Sequence, residues 1–186
     1  MFTTQIAEVE GAFLYELNRY NDNRGFFEEI YSPQHRCHDV SFNVVQTNVS
    51  CSKAGVLRGM HVVPFAKLCM CVKGKIFDVV ADVRPDSPTY LNWYGVWLSP
   101  EEPKQLFVPA GCAHGFFSLK DESVLLYMQD GGYNPEVEWE VNYLDPKIGI
   151  EWPKAVNLFG HKPEYILSDK DKAAPMLESV GVGGDC

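Results

Sequence analysis

Between Phe42 and Tyr127 the chain is cut by turn signals into short apolar runs, and that spacing excludes most folds. "FNVVQTNVSCS" ends at "KAG", "KLCMCV" at "KG", "KIFDVVADV" at "RPDSP", and "YLNWYGVWL" at "SPEEP". "QLFVP", "AHGFFSL" and "SVLLYMQ" follow, closed by "AG", "KDE" and "DGG". Strand-length runs at intervals of roughly 8–12 residues imply an antiparallel sandwich or barrel rather than a bundle or a βαβ sheet. "CVKGKIFDVVADV" reads as a hairpin through Lys73-Gly74, with alternation in "IFDVVADV" giving one apolar and one mixed face. From about Pro146 the pattern changes to Pro-rich connections and one short expected helix near "SDKDKAAPML", where Ser168 and Asp171 have capping-box spacing. No linker divides the chain, so residues 1–186 are expected to form one domain, with a disordered tail from about residue 178.

The 15 glycines and 12 prolines suit such a turn-rich fold. A net charge of −9 argues against nucleic acid or an anionic membrane as partner, but not against a small anion held by a local cluster. No apolar run approaches the roughly 20 residues that span a bilayer. "MFTTQIAEVEGAF" lacks the basic start and apolar stretch of a signal peptide, so a cytoplasmic location is expected. Cys37, Cys51, Cys69, Cys71, Cys112 and Cys186 contain no CxxC, and at least three lie in apolar runs. Buried reduced thiols are the expectation, with disulfides the alternative.

The stretch "LRGMHVVPFAKLCMC" carries Arg58, His61 and Lys67 at irregular intervals within a strand-like run. Cations inside an apolar layer need a partner or a task. Either they face solvent, or they point into a pocket that holds an anion and needs a base. His61 and His114 are the two histidines of the strand region; His35, His38 and His161 lie in polar segments and are expected to be exposed. Pro109-Ala-Gly111-Cys-Ala-His114 matches the PxGxxH half of a metal-binding cupin pattern. The HxH half is missing, because Val63 stands where the second His would be. Two histidines without a third ligand make a poor metal site, and no metal is expected.

"NRGFFEE", "GVLRGMH", "KGKIFDVVADVRPDSPT", "KQLFVPAGCAHGFF", "LLYMQDGGYNPE", "DPKIGIEWP" and "LSDKDKAAP" resemble, in order, the motifs of the dTDP-4-dehydrorhamnose 3,5-epimerase family. The resemblance runs from about residue 22 to residue 175. It implies an all-β, cupin-type antiparallel jelly-roll barrel with short peripheral helices, acting as a homodimer without cofactor or metal. It also implies a substrate: a nucleotide-linked 4-keto-6-deoxy sugar, epimerised at C3 and C5 through an enolate. That chemistry needs a base, a donor for the enolate oxygen, and an acid across the ring. By resemblance His61 is the base, Asp171 the carboxylate that orients it (with Asp169 as competitor), Lys67 the enolate stabiliser and Tyr127 the acid. Arg24 and Arg58 match a pair that grips pyrophosphate, and Arg24 can arrive from a partner subunit through an exchanged N-terminal strand. Glu29, Gln46, Asn48, His114 and Tyr133 match positions around the nucleotide and sugar.

Taken singly, Tyr127 would be a core aromatic, Lys67 a solvated strand end, Asp171 a helix-terminal charge and Arg24 a turn residue held by Asp22. The chain departs from the family at "VVPFA", shorter than the usual segment between His61 and Lys67, and at Thr47 and Val49, where an acid and a His are common. "KLCMC" also lacks a further basic residue, and "DGG" replaces a more polar stretch. These changes reshape the sugar pocket or the nucleotide entrance. A single-site epimerase, a non-catalytic sugar-nucleotide-binding cupin and a metal-dependent enzyme on the same barrel are the alternatives.

Overall fold

The computed structural model describes residues 2–33, 41–154 and 165–178. His35, Cys37, His38, His161 and the tail 179–186, with Cys186, lie outside them, as do the expectations made for those residues. In chain order the strands are β1 (Phe2–Gln5), β2 (Phe13–Glu16), β3 (Arg19–Asp22), β4 (Gly25–Glu28), β5 (Gln46–Ser52), β6 (Leu57–Val62) and β7 (Lys67–Lys73). They continue as β8 (Ile76–Ala81), β9 (Trp93–Leu98), β10 (Lys104–Val108), β11 (Ala113–Ser118), β12 (Ser123–Gln129) and β13 (Trp139–Glu140). Where short helices were expected, the described residues hold one, α1 (Asp169–Ala173).

Two antiparallel sheets face each other, one ordered β1-β2-β10-β7-β12-β5 and the other β13-β6-β11-β8-β9, with β3-β4 as a separate ribbon. This is the expected all-β, cupin-like barrel. From β5 to β8 each strand crosses to the sheet its predecessor does not occupy, and from β5 onward only β8 and β9 are neighbours in both sequence and sheet among the described residues. The Lys73-Gly74 turn is therefore a corner between sheets, not a hairpin: β7 pairs with β10 and β12, while β8 pairs with β11 and β9. Gly74 has φ +81°, and a Cβ on it would lie 2.7 Å from Ser123 Cα, so the corner admits only glycine.

The apolar runs are continuous because both faces of the central strands are covered. Cys69, Ile76, Val80, Leu106 and Leu125 pack between the sheets. Leu57, Val79 and Phe117 face outward beneath the C-terminal segments of Ile148, Trp152 and Leu177. Leu68, Phe107 and Met128 form the outer layer of the other sheet with Tyr15 and Phe42. Each such fully buried aliphatic side chain contributes about 1.5–3 kcal/mol. The alternation in β8 is as expected: Ile76, Asp78 and Val80 point inward, and Phe77, Val79 and Ala81 outward. Cys69, Cys71 and Cys112 are buried free thiols, whereas Cys51 is exposed. No helix among the described residues is long and apolar enough to cross a membrane.

Candidate active site

Strict alternation along β6 would send Arg58 and His61 to opposite faces. The register with β11 prevents it: His114 sits opposite His61 and Phe116 opposite Arg58, so three steps on β6 match two on β11. That extra residue is a β-bulge. It forms where Gly59 (φ +127°) meets Gly115, so closely that a Cβ on Gly59 would fall 2.6 Å from Gly115 Cα. The bulge turns both cations into one cavity, which Lys67 of β7, His114 of β11 and Tyr127 and Gln129 of β12 also line. The irregular spacing in the sequence thus has a geometric cause. The cavity is about 230 Å³, below the roughly 300–1,000 Å³ that encloses a drug-sized ligand, and so fits a sugar ring better than a whole nucleotide.

His61 is held between two carboxylates. Its Nε2 lies 2.9 Å from Asp171 Oδ1 and its Nδ1 2.8 Å from Glu138 Oε1. Asp171 is placed by the N-terminus of α1, where Ser168 caps the helix by accepting from Asp171 N at 3.1 Å. Ser168 Oγ also donates to Asp171 Oδ2 at 2.7 Å, and Gly59 N donates to Oδ1 at 3.4 Å. In a usual capping box the acidic side chain returns to the cap's backbone N–H; here it serves His61 instead. Asp169, the competitor, is fully exposed and pairs with Lys172.

Burial pushes the His61 pKa down, but hydrogen bonds and charge from Asp171 and Glu138 outweigh it, so the imidazole is held above its ordinary value. Burial also pushes both carboxyls up, yet their donors leave Asp171 and Glu138 below the usual carboxylate range. Lys67 is lowered, chiefly by burial, against the opposing pull of Cys69, Glu138 and Asp78. Tyr127 is raised by burial, then by Cys69 and Glu138, with Arg58 opposing.

Around this centre, Arg58 donates to Ser52 Oγ and Cys51 O at 3.0 and 3.2 Å. Gln46 donates to Asn48 at 2.8 Å, Asn48 to Gln129 at 3.4 Å, and Gln46 Oε1 accepts from Tyr133 N at 3.0 Å. This chain of amides runs from the cavity to its mouth, where Tyr133 is 61% exposed. His114 Nε2 is 2.8 Å from buried Asp78. Arg24 and Glu29 are not brought to the cavity by this chain. Arg24 is 86% exposed and bound to Asp22, the turn arrangement that stood as its alternative.

Cys69, Asp78 and His114 have ligand-type atoms within 4.8 Å of one another. All three are buried, and Asp78 already engages His114 at 2.8 Å. His61, Glu138 and Glu140 share that spacing, but Lys170 binds both glutamates and the group is an ion-pair network.

Glu138 was not foreseen. It belongs to no block of the resemblance, and β13 is too short for periodicity to register. The alternation "EVEWEV" from Glu136 to Val141 was the available signal, a strand with one acidic face.

A profile of the family described as dTDP-4-dehydrorhamnose 3,5-epimerase matches residues 6–179. The dTDP-4-dehydrorhamnose 3,5-epimerase of Salmonella typhimurium is 40% identical over 178 residues, 92% of this chain and 93% of that protein. Among solved structures, a dTDP-6-deoxy-D-glucose-3,5-epimerase from Legionella pneumophila in complex with dTDP-4-keto-L-rhamnose superposes with a TM-score of 0.83. It is 37% identical and the match covers 94% of this chain and 90% of that one. A 3'-monoepimerase from Streptomyces bikiniensis in complex with dTDP-quinovose gives a TM-score of 0.82 at 38% identity, over 94% and 89% of the chains.

Proposed function

The chain belongs to the dTDP-4-dehydrorhamnose 3,5-epimerase family, and from that premise we propose how its own residues carry out the reaction. It is an isomerase that epimerises a nucleotide-linked 4-keto-6-deoxy sugar. The ketone acidifies the neighbouring C–H bonds. His61, as neutral imidazole, takes a proton from C3 or C5, and the bonding pair moves into the ring as an enolate. Lys67 donates to the enolate oxygen. Tyr127 returns a proton from its phenol to the opposite face, which inverts the carbon. His61 ends protonated and Tyr127 deprotonated, and exchange with solvent resets both. Asp171 fixes the ring and favours the charge it acquires.

The observation that carries this reading is convergence: three separate strands, β6, β7 and β12, bring His61, Arg58, Lys67 and Tyr127 to a single sugar-sized cavity, with Asp171 of α1 behind the imidazole. Arg58 grips the diphosphate at the mouth, Tyr133 lies against the nucleotide, and Gln46, Asn48 and His114 hold polar groups of the ligand. Arg24 and Glu29 act on the nucleotide of a partner subunit, through an exchanged N-terminal segment in a homodimer. The large exposed side chains Tyr20, Phe26 and Phe27 on β3-β4 support such an exchange.

Incubation with dTDP-4-keto-6-deoxyglucose in deuterated water tests the assignment. Deuterium at C3 and C5 with inverted product is the expected outcome. Label at one carbon would make it a single-site enzyme, the reading favoured by the similarity to a 3'-monoepimerase. No label at either carbon would overturn the assignment for this substrate.

A further inference from the structure

Both nitrogens of His61 are taken in the ligand-free protein, and a base needs a lone pair directed at the substrate. The two sides are not equivalent. Asp171 is 4% exposed, is fixed by Ser168 and Gly59, and does not line the cavity. Glu138 does line it, and its charge acts on Lys67 and Tyr127 across the space. The reacting nitrogen is therefore Nδ1, and Glu138 sits on it. We infer that Glu138 is a positioning residue that holds the place of the reacting C–H at His61 Nδ1 and carries the imidazole's proton away when substrate displaces it.

Local structure supports the movement. Glu138 immediately precedes β13, the outermost strand of its sheet and two residues long, which pairs with β6 through Trp139–Val62 and Glu140–His61; the backbone pair Val141–Met60 anchors the chain beyond it, so Glu138 stands on the free side of that anchor. The same run of chain carries Tyr133 at the cavity mouth, so a nucleotide settling there bears on the segment that holds Glu138. A second partner waits outside: Lys170 Nζ donates to the same Oε1 at 3.2 Å and also binds Glu140. The proton balance is simple. The Nδ1–H bond breaks and an Oε1–H bond forms, leaving neutral imidazole and a neutral carboxyl. The carboxyl moves towards Lys170 and gives its proton to water. After turnover the carboxylate returns to pair with the Nδ1–H that now carries the proton taken from carbon, and Tyr127 regains its proton from water, which offsets the one released and restores the resting state.

The groups facing His61 are Asp171 and Lys170 from α1, Glu140 of β13 with Glu138 just before it, Lys67 of β7, Arg58 of β6, Tyr127 of β12 and His114 of β11. Removing the Glu138 charge lowers the His61 pKa, and removing the Lys170 charge raises it.

The inference rests on His61 as the base, so the experiment separates the two claims. The His61 ring is titrated by NMR in ligand-free wild type, Glu138→Gln and Lys170→Met, its signal identified by loss in His61→Asn. The pH profile of deuterium incorporation is recorded for the same proteins. Glu138→Gln should shift both the titration and the acid limb of kcat/KM to lower pH by about one unit, roughly tenfold in rate on that limb, without raising KM. Lys170→Met should shift both upward. An unmoved acid limb with a raised KM in Glu138→Gln would show Glu138 to be a ligand of the substrate and overturn the inference. Exchange that persists in His61→Asn would instead remove the base and leave the ligand-free pairing in place.

Discussion

At the scale of residues, stability and the base role proposed for His61 make opposite demands on its charge. Its pKa is raised on folding, so its contribution to stability is complete below about pH 6.5 and is lost as pH rises through the folded value. Asp171 and Glu138 are lowered, so their contributions are present above about pH 4 and are lost as pH falls through their folded values. Chemical denaturation of wild type and His61→Asn should therefore differ most between about pH 4.5 and 6.5, and the gap should close on either side. A gap independent of pH would mean that His61 stabilises by packing alone. The proposed proton abstraction, by contrast, needs the neutral ring and so belongs on the alkaline side of this window. That His61, Lys67, Tyr127 and Asp171 are brought together was legible because their motifs occur in family order, although none stands out by type or spacing alone. Glu138 was illegible because nothing local in "PEVEWE" indicates that it closes on a histidine 77 positions away.

At the scale of elements, the bulge in β6 shows what periodicity conveys and what it leaves out. A three-residue interval between Arg58 and His61 fits neither face of a regular strand, and the sequence therefore raised the question without answering it. The answer lies in contact between two backbones, Gly59 against Gly115, which a single strand cannot reveal. Gly59→Ala should cost about 1–3 kcal/mol in urea denaturation, combining overpacking with a strained backbone. It should also impair epimerisation, since Gly59 N–H donates to Asp171. Unchanged stability would mean that β6 and β11 can separate freely at this point. The Lys73-Gly74 turn was misread for a related reason. A tight glycine turn between alternating strands looks the same whether it closes a hairpin or turns a corner, and only the distant partners β10, β11 and β12 decide.

At the scale of the whole molecule, the β3-β4 ribbon stands apart from both sheets, with Tyr20, Phe26 and Phe27 58–67% exposed. Replacing Phe26 and Phe27 with Ser should shift sedimentation from a dimer towards a 21.0 kDa monomer and weaken nucleotide binding. A wild type that already sediments as a monomer would refute the proposed exchange. Barrel class was legible from the spacing of turns, but the pairing order was not, because strands adjacent in sequence mostly lie in opposite sheets. That interleaving has a consequence during synthesis. The strands that complete each sheet, β11 between β6 and β8 and β12 between β7 and β5, emerge late in the chain. At roughly 5–20 residues per second the ribosome reaches Gln129 only after about 6–26 s. Until then β5 has no partner in its sheet and β7 has only β10, so a nascent chain interrupted before β12 can close the β6-β11-β8-β9 layer but leaves the facing sheet open along β7.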